Sequence, residues 1–213
     1  MSVAALSRPF LGVFLAALLA GCASQSRSEL DALSRATVLI EHAKGHGTGA
    51  IVGPDQVLTA YHVVAEAPLH ITFFEGPAVG GTVRWYDAAL DLALLEVAVP
   101  HSYQPRELAC DELRVGQRLV TVGHPMRARW QAADGRLATV TTLEGGDLVP
   151  LGYEIGLGSS GGPVFDDSGR VAGIALAILA ERRSTSAAYD EFKDTGIGLM
   201  LPAAAFCDAL RQR

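Results

Sequence analysis

The chain has 213 residues, 49% of them hydrophobic, and a formal net charge of −6. That length and apolar content suit one compact domain with a substantial core, and the acidic balance argues against nucleic acid or another polyanion as a partner.

Residues 1–9 carry one charge, Arg8, ahead of an eleven-residue apolar run from Phe10 to Ala20. A hydrocarbon core of about 30 Å needs roughly 20 apolar residues to cross as a helix, so residues 1–21 read as an export signal rather than a span. The run ends in Leu19-Ala20-Gly21-Cys22, which resembles the lipobox of bacterial lipoproteins. That resemblance implies acylation of Cys22, a lipid-held position in the cell envelope facing the periplasm, and, because Ala23 rather than aspartate follows, the outer membrane in preference to the inner. Residues 22–29 are small and polar, a tether between lipid and fold, and the domain proper is expected over 30–213. Cys110 and Cys207 remain, and in an oxidising compartment they could pair or stay as two buried thiols.

From residue 36 onward, short runs rich in Val, Ile, Thr and aromatics alternate with Gly, Pro and Asp: ATVLIEH, GTGAIVG, QVLTA, LHITFF, TVRWY, DLALLEV, QRLVTVG, RLATVTTL, DLVPLGYEI, RVAGIALAIL and GIGLML. Many short strands at this spacing predict an all-β barrel or sandwich architecture. Pro100 to Arg114, less apolar and holding two prolines, is the expected connector between two halves. The polar stretch ERRSTSAAYDEFKDT, residues 181–195, is expected to be a loop insertion, and the segment after Pro202 a closing helix over about 203–212 with basic residues in its last turn.

The candidate chemistry lies in GSSGGPVF, residues 158–165, where two adjacent serines precede a Gly-Gly-Pro turn. A serine hydroxyl needs a base to take its proton, a carboxylate to orient that base, and donors for the oxyanion. All six histidines precede the serines: His42, His46, His62, His70, His101 and His124. That order excludes the nucleophile elbow of α/β-hydrolases, whose histidine follows the serine, although Gly158-Ser-Ser-Gly-Gly162 fits its G-x-S-x-G pattern. His42 and His46 stand four apart, but the neighbouring glycines and strand pattern speak against a helical metal pair. No metal or cofactor is expected.

GTGAIVGPDQVLTAYHVV, DLALLEV and GSSGGPVF, in this order, resemble the base, acid and nucleophile segments of trypsin-like serine proteases, and GIALAIL and GIGLMLP resemble later strands of the HtrA (Deg) branch. The resemblance covers about residues 36–206. It implies two six-stranded antiparallel β-barrels of the chymotrypsin type, over about 30–100 and 115–201, with a short C-terminal helix. It also implies a serine endopeptidase acting on proteins or peptides, with His62 as base, Asp91 as its orienting acid and Ser160 as nucleophile. Asp87 is a rival acid but stands before AAL rather than at the apolar strand.

In this family the oxyanion donors are the N–H groups of the nucleophile and of a glycine two residues before it. Gly158 fits that place for Ser160, whereas Leu157 would occupy it for Ser159. Substrate would pair with Leu176, Ala177 and Ile178, and Glu154 stands at the S1-base count of the trypsin type. An unpaired carboxylate is costly in an apolar slot, so Glu154 is expected to face solvent and the pocket to take aliphatic side chains. Ser159 replaces the aspartate that serves a zymogen switch in digestive members. His124 is expected to be structural.

Overall fold

A computed structural model describes residues 27–143, 146–186 and 189–211, with side chains excluded over 181–192. The expected signal segment, Cys22 with its expected acylation, and the first part of the expected tether lie outside the described residues. Residues 27–34 are helical.

Six strands, β1 (Thr37–His42), β2 (Gly45–Gly53), β3 (Gln56–Ala60), β4 (Leu69–Phe73), β5 (Ala78–Asp87) and β6 (Leu92–Val97), close into an antiparallel barrel in the order β1-β2-β3-β6-β5-β4. Val38, Ile40, Val57, Leu58, Ile71, Phe73, Leu92 and Leu95 are buried and form much of its core. Closure leaves this barrel without a free sheet edge.

The second half is a six-stranded antiparallel sheet in the order β8-β7-β10-β11-β12-β9. Its strands are β7 (Arg118–Gly123), β8 (Gln131–Arg136), β9 (Val149–Glu154), β10 (Pro163–Phe165), β11 (Val171–Ser186) and β12 (Tyr189–Pro202). Its edge strands approach where Tyr153 on β9 lies against Gly135 on β8, leaving less than a methyl group of space, and the Tyr153 hydroxyl bonds Thr121 Oγ1 at 2.8 Å. The sheet is therefore a nearly closed barrel around Leu119, Leu137, Val149, Leu151, Val164, Ala172, Ala175 and Met200. The expected pair of six-stranded barrels is present, and residues between β6 and β7 connect them.

Four expectations need correction or completion. Of the strand expected over residues 136–143 only Arg136, the last residue of β8, is strand. The β8 sequence QAADGR has no apolar face because it is exposed or half-buried throughout. Residues 181–186 and 189–195 are strand rather than loop. β11 and β12 pair along them, with Ala180 opposite Asp194 and Ser186 opposite Tyr189, so the barrel hairpin extends as a two-stranded ribbon. The closing helix is split: a 3₁₀ turn over Ala203–Ala205 precedes a short α-helix over Cys207–Arg211, with the fully buried Phe206 at the break. Cys110 and Cys207 form a disulfide, with Cα atoms 6.0 Å apart, joining the inter-barrel connector to that helix.

Candidate active site

Strand pairing brings His62 and Asp91 together. β3 and β6 are antiparallel, with Ala60 opposite Leu92, so the chain leaving β3 meets the chain entering β6. There the Tyr61 N–H donates to the Asp91 carbonyl at 3.0 Å, and Tyr61 stacks on Tyr86 with ring centroids 4.5 Å apart. Asp91 adopts a left-handed φ of 52°, a conformation that Asp tolerates better than most side chains. Both its oxygens hold His62: Oδ1 accepts the backbone N–H at 2.9 Å, and Oδ2 lies 2.6 Å from Nδ1. A carboxylate can only accept, so Nδ1 carries the proton and Nε2 presents a lone pair. Asp87 instead accepts the N–H groups of Ala89 and Leu90, closing the turn ahead of Asp91.

Ser160 lies on a loop held from both barrels. The Thr48 N–H on β2 donates to Ser160 O at 2.9 Å, while Gly161 N–H donates to Ala175 O and Ala175 N–H to Gly162 O on the β11 side. Glycine is required after the serine: at Gly161, with φ 81°, a Cβ would lie 2.3 Å from Thr48 O and 2.8 Å from Ala60 N. The Ser160 hydroxyl donates to Leu176 O at a long 3.4 Å and makes no hydrogen bond to His62.

The Gly158 and Ser160 N–H groups are not spent on other protein acceptors among the described residues. Each is nevertheless oriented. In a trans peptide the carbonyl and the following N–H point in opposite directions, so fixing one fixes the other. Leu157 O accepts from Met126 N–H at 2.7 Å, and Ser159 O accepts from Gly162 N–H at 2.9 Å. Gly158, at φ 101°, has no room for a side chain, since a Cβ would meet His46 Nε2 at 2.4 Å and His124 O at 2.5 Å. Two pinned, unspent donors two residues apart can stabilise an oxyanion. Ser159 is almost fully buried, which leaves Ser160 as the serine beside those donors.

A buried polar relay lies beneath this loop. Thr48 Oγ1 donates to Gly158 O at 2.8 Å and lies 3.0 Å from His124 Nδ1. The hydroxyl has one hydrogen, already given to Gly158, so Nδ1–H is the donor to Thr48. His124 Nε2 is then a bare lone pair, and it is buried without a hydrogen-bond partner among the described residues. Burial first, then the charges of His46 and Arg129, push the His124 pKa down to about 3. The ring is neutral at ordinary pH and packs edge-on to Trp130, whose Nε1–H donates to Thr37 O. His46 Nε2 bonds His124 O at 2.9 Å. His124 was expected to be structural, but no spacing signal linked it to Thr48, His46 and the nucleophile loop.

β10 pairs with β11 only as far as Ile174, so from Leu176 to Ile178 that edge of β11 is open for an extended peptide. Leu176 is buried, while Ala177 and Ile178 are half-buried. Glu154 ends β9, exposed, with its side chain across Gly196. No group of three or more His, Cys, Asp or Glu side chains able to hold a metal occurs among the described residues.

The family model of the trypsin-like peptidase domain matches residues 47–174. The chain belongs to that family. Among its trypsin-like relatives, serine protease Rv3671c of Mycobacterium tuberculosis is 30% identical over 152 residues, 65% of this chain and 38% of that protein. A probable periplasmic serine endoprotease DegP-like of Chlamydia pneumoniae is 28% identical over 166 residues, 74% of this chain and 32% of that one. The matches thus span less than half the length of these relatives. The crystal structure of Rv3671c protease in its inactive form superposes with a TM-score of 0.71 at 25% identity, covering 87% of this chain and 92% of that one.

Proposed function

We propose that the protein is a serine endopeptidase in which Ser160 attacks, His62 is the general base, Asp91 orients it, and the Gly158 and Ser160 N–H groups bind the oxyanion. The observation carrying this reading is the doubly held His62–Asp91 pair, whose imidazole keeps a free Nε2 in a fold with two unspent, pinned donors at the serine loop.

An extended substrate lies on the open edge of β11 at Leu176, Ala177 and Ile178. Its N–H takes over Leu176 O and releases the Ser160 hydroxyl to turn toward His62. Nε2 removes the hydroxyl proton as Oγ bonds to the substrate carbonyl carbon, and the carbonyl oxygen becomes the anion held by the two N–H groups. The imidazolium passes the proton to the leaving amine, the C–N bond breaks, and an acyl-enzyme remains. Water, deprotonated by His62, then releases the acid and regenerates Ser160. With Glu154 exposed, the side chain before the scissile bond is aliphatic.

The substrates are exported proteins, met by an enzyme acylated at Cys22 and facing the periplasm. Labelling of the full chain with a fluorophosphonate tests the mechanism. Covalent labelling of the wild type that is lost in Ser160→Ala supports it; an unlabelled wild type, or labelling that survives the substitution, overturns it. Palmitate incorporation lost in Cys22→Ala tests the anchor.

A further inference from the structure

Near the serine loop is a cavity of about 380 Å³ whose lining has no part in the steps described above. It lies between the β1–β2 turn and residues 124–129, and its charged lining is mostly cationic, Lys44, Arg127 and Arg129 against one carboxylate, Glu41; the rings of His42 and His46 also line it. Lys44 is neutralised by Glu66 at 2.5 Å. Neither arginine has an ion-pair partner among the described residues, and Glu41 pairs with neither. Two uncompensated guanidinium groups in one recess are unexpected on a chain of net charge −6.

The backbone that presents them is unusual. Met126, Arg127 and Trp130 all have left-handed φ, at 49°, 68° and 49°. Such conformations are costly without glycine and persist where the surroundings enforce them. Here the segment is tied at both ends: Met126 N–H to Leu157 O, and Trp130 to Thr37 O. The arginines are therefore held on a fixed frame rather than left on a free loop.

Position identifies the occupant. The serine loop is gripped by β11 on one side and by β2 on the other, through Ser160 O and Thr48 N–H. A substrate whose acyl portion pairs with β11 carries its leaving portion toward β2 and the β1–β2 turn. His46 bridges the two regions: it lines the cavity, and its Nε2 lies 2.4 Å from where a Cβ of Gly158 would be. We infer that this cavity is a leaving-group subsite in which Arg127 and Arg129 bind the side-chain carboxylate of an Asp or Glu among the first three residues after the scissile bond. This rests on the protease reading above. Guanidinium groups suit the task because they remain charged and can meet a carboxylate with two parallel N–H donors.

The test uses full-length protein and C-terminally amidated, internally quenched peptides, so that the varied side chain is the only difference in charge. Glu, Gln and Lys are compared at each of the three positions. At low salt kcat/KM for one Glu peptide should exceed that of its Gln counterpart by about five- to tenfold. The ratio should fall below about twofold in 1 M salt, where the screening length is about 3 Å. It should also approach one in Arg127→Gln/Arg129→Gln, and Arg129→Glu alone should move the preference toward Lys. Binding of the same peptides to Ser160→Ala, read by fluorescence anisotropy, measures the ratio without turnover. Equal treatment of Glu and Gln in both arms, or a preference that survives both arginine variants, overturns the subsite. A Glu preference in binding without turnover by the wild type overturns the protease reading and leaves the subsite standing.

Discussion

Thr48 Oγ1 donates a 2.8 Å hydrogen bond to the carbonyl of Gly158, the residue whose N–H is one of the two proposed oxyanion donors. Thr48 touches neither substrate nor reacting atoms in this arrangement; it fixes the peptide next to the donor. Thr48→Val keeps the shape but removes the hydroxyl, leaving Gly158 O and His124 Nδ1–H without their partner. An unsatisfied buried group costs about 1–3 kcal/mol, and small misplacements of an oxyanion donor are expensive in rate. The expected result is a fall in kcat of about 10- to 100-fold with little change in KM. Affinity for a peptide aldehyde should fall in parallel, because its adduct presents the same oxyanion, and Thr48→Ser should restore both. A drop in melting temperature with kcat intact would show that Thr48 serves packing alone.

Asp91 imposes one tautomer on His62, and that gives a second prediction. Asp91→Asn is nearly isosteric and tolerates the left-handed φ of 52°. The amide can donate to Nδ1, which moves the imidazole proton to Nε2 and removes the lone pair that the proposed mechanism uses to take the Ser160 proton. By analogy with other Ser-His-Asp enzymes, kcat should fall about 10⁴-fold. The melting temperature should change little. Steady-state kinetics and the rate of fluorophosphonate labelling check this together.

Much of the first barrel was legible because its strands carry continuous apolar runs ended by Gly, Pro or Asp, as in LALLEV from Leu92 to Val97, mostly buried on both faces. β8 was not, because a strand exposed or half-buried along its length leaves no apolar pattern to read. The ribbon over 181–186 and 189–195 was missed for a related reason: its polar composition imitates a loop, while backbone pairing across β11 and β12 makes it extended. His62, Asp91 and Ser160 could be singled out because each sits in a local motif. The relay beneath the serine loop could not, since its hydrogen bonds join residues 76, 78 and 110 positions apart. The disulfide, which closes 97 residues, was likewise open in the sequence.

The buried His124 predicts an acid limb to the stability profile. Its folded pKa of about 3 lies below its ordinary 6.5. Between those values the unfolded chain binds a proton that the native chain refuses, so native stability declines as pH falls through that window, by at most about 1.4 kcal/mol per pH unit from this residue. Above pH 6.5 the contribution is flat. Urea unfolding of wild type and His124→Asn between pH 7 and 4 should show a shallower decline in the variant. Equal slopes would remove His124 as the cause.

The disulfide supplies the last prediction. Cys110 lies in the connector between barrels and Cys207 opens the final helix, so the bridge ties the chain's end to its middle. Cross-linking restricts the unfolded ensemble, and a loop of about 100 residues corresponds to roughly 4.7 kcal/mol in the chain-entropy picture, within a measured span of about 2–5. Cys110→Ala/Cys207→Ala should therefore lower the melting temperature by roughly 5–15 °C, since about 2–4 °C accompanies each kcal/mol in a domain of this size. Neither cysteine is part of the proposed active site, so fluorophosphonate labelling well below the transition should match the wild type. A reductant should lower the wild-type melting temperature toward that of the variant and leave the variant unchanged. Equal melting of both proteins in the absence of reductant would show that the bridge contributes nothing to the fold's stability.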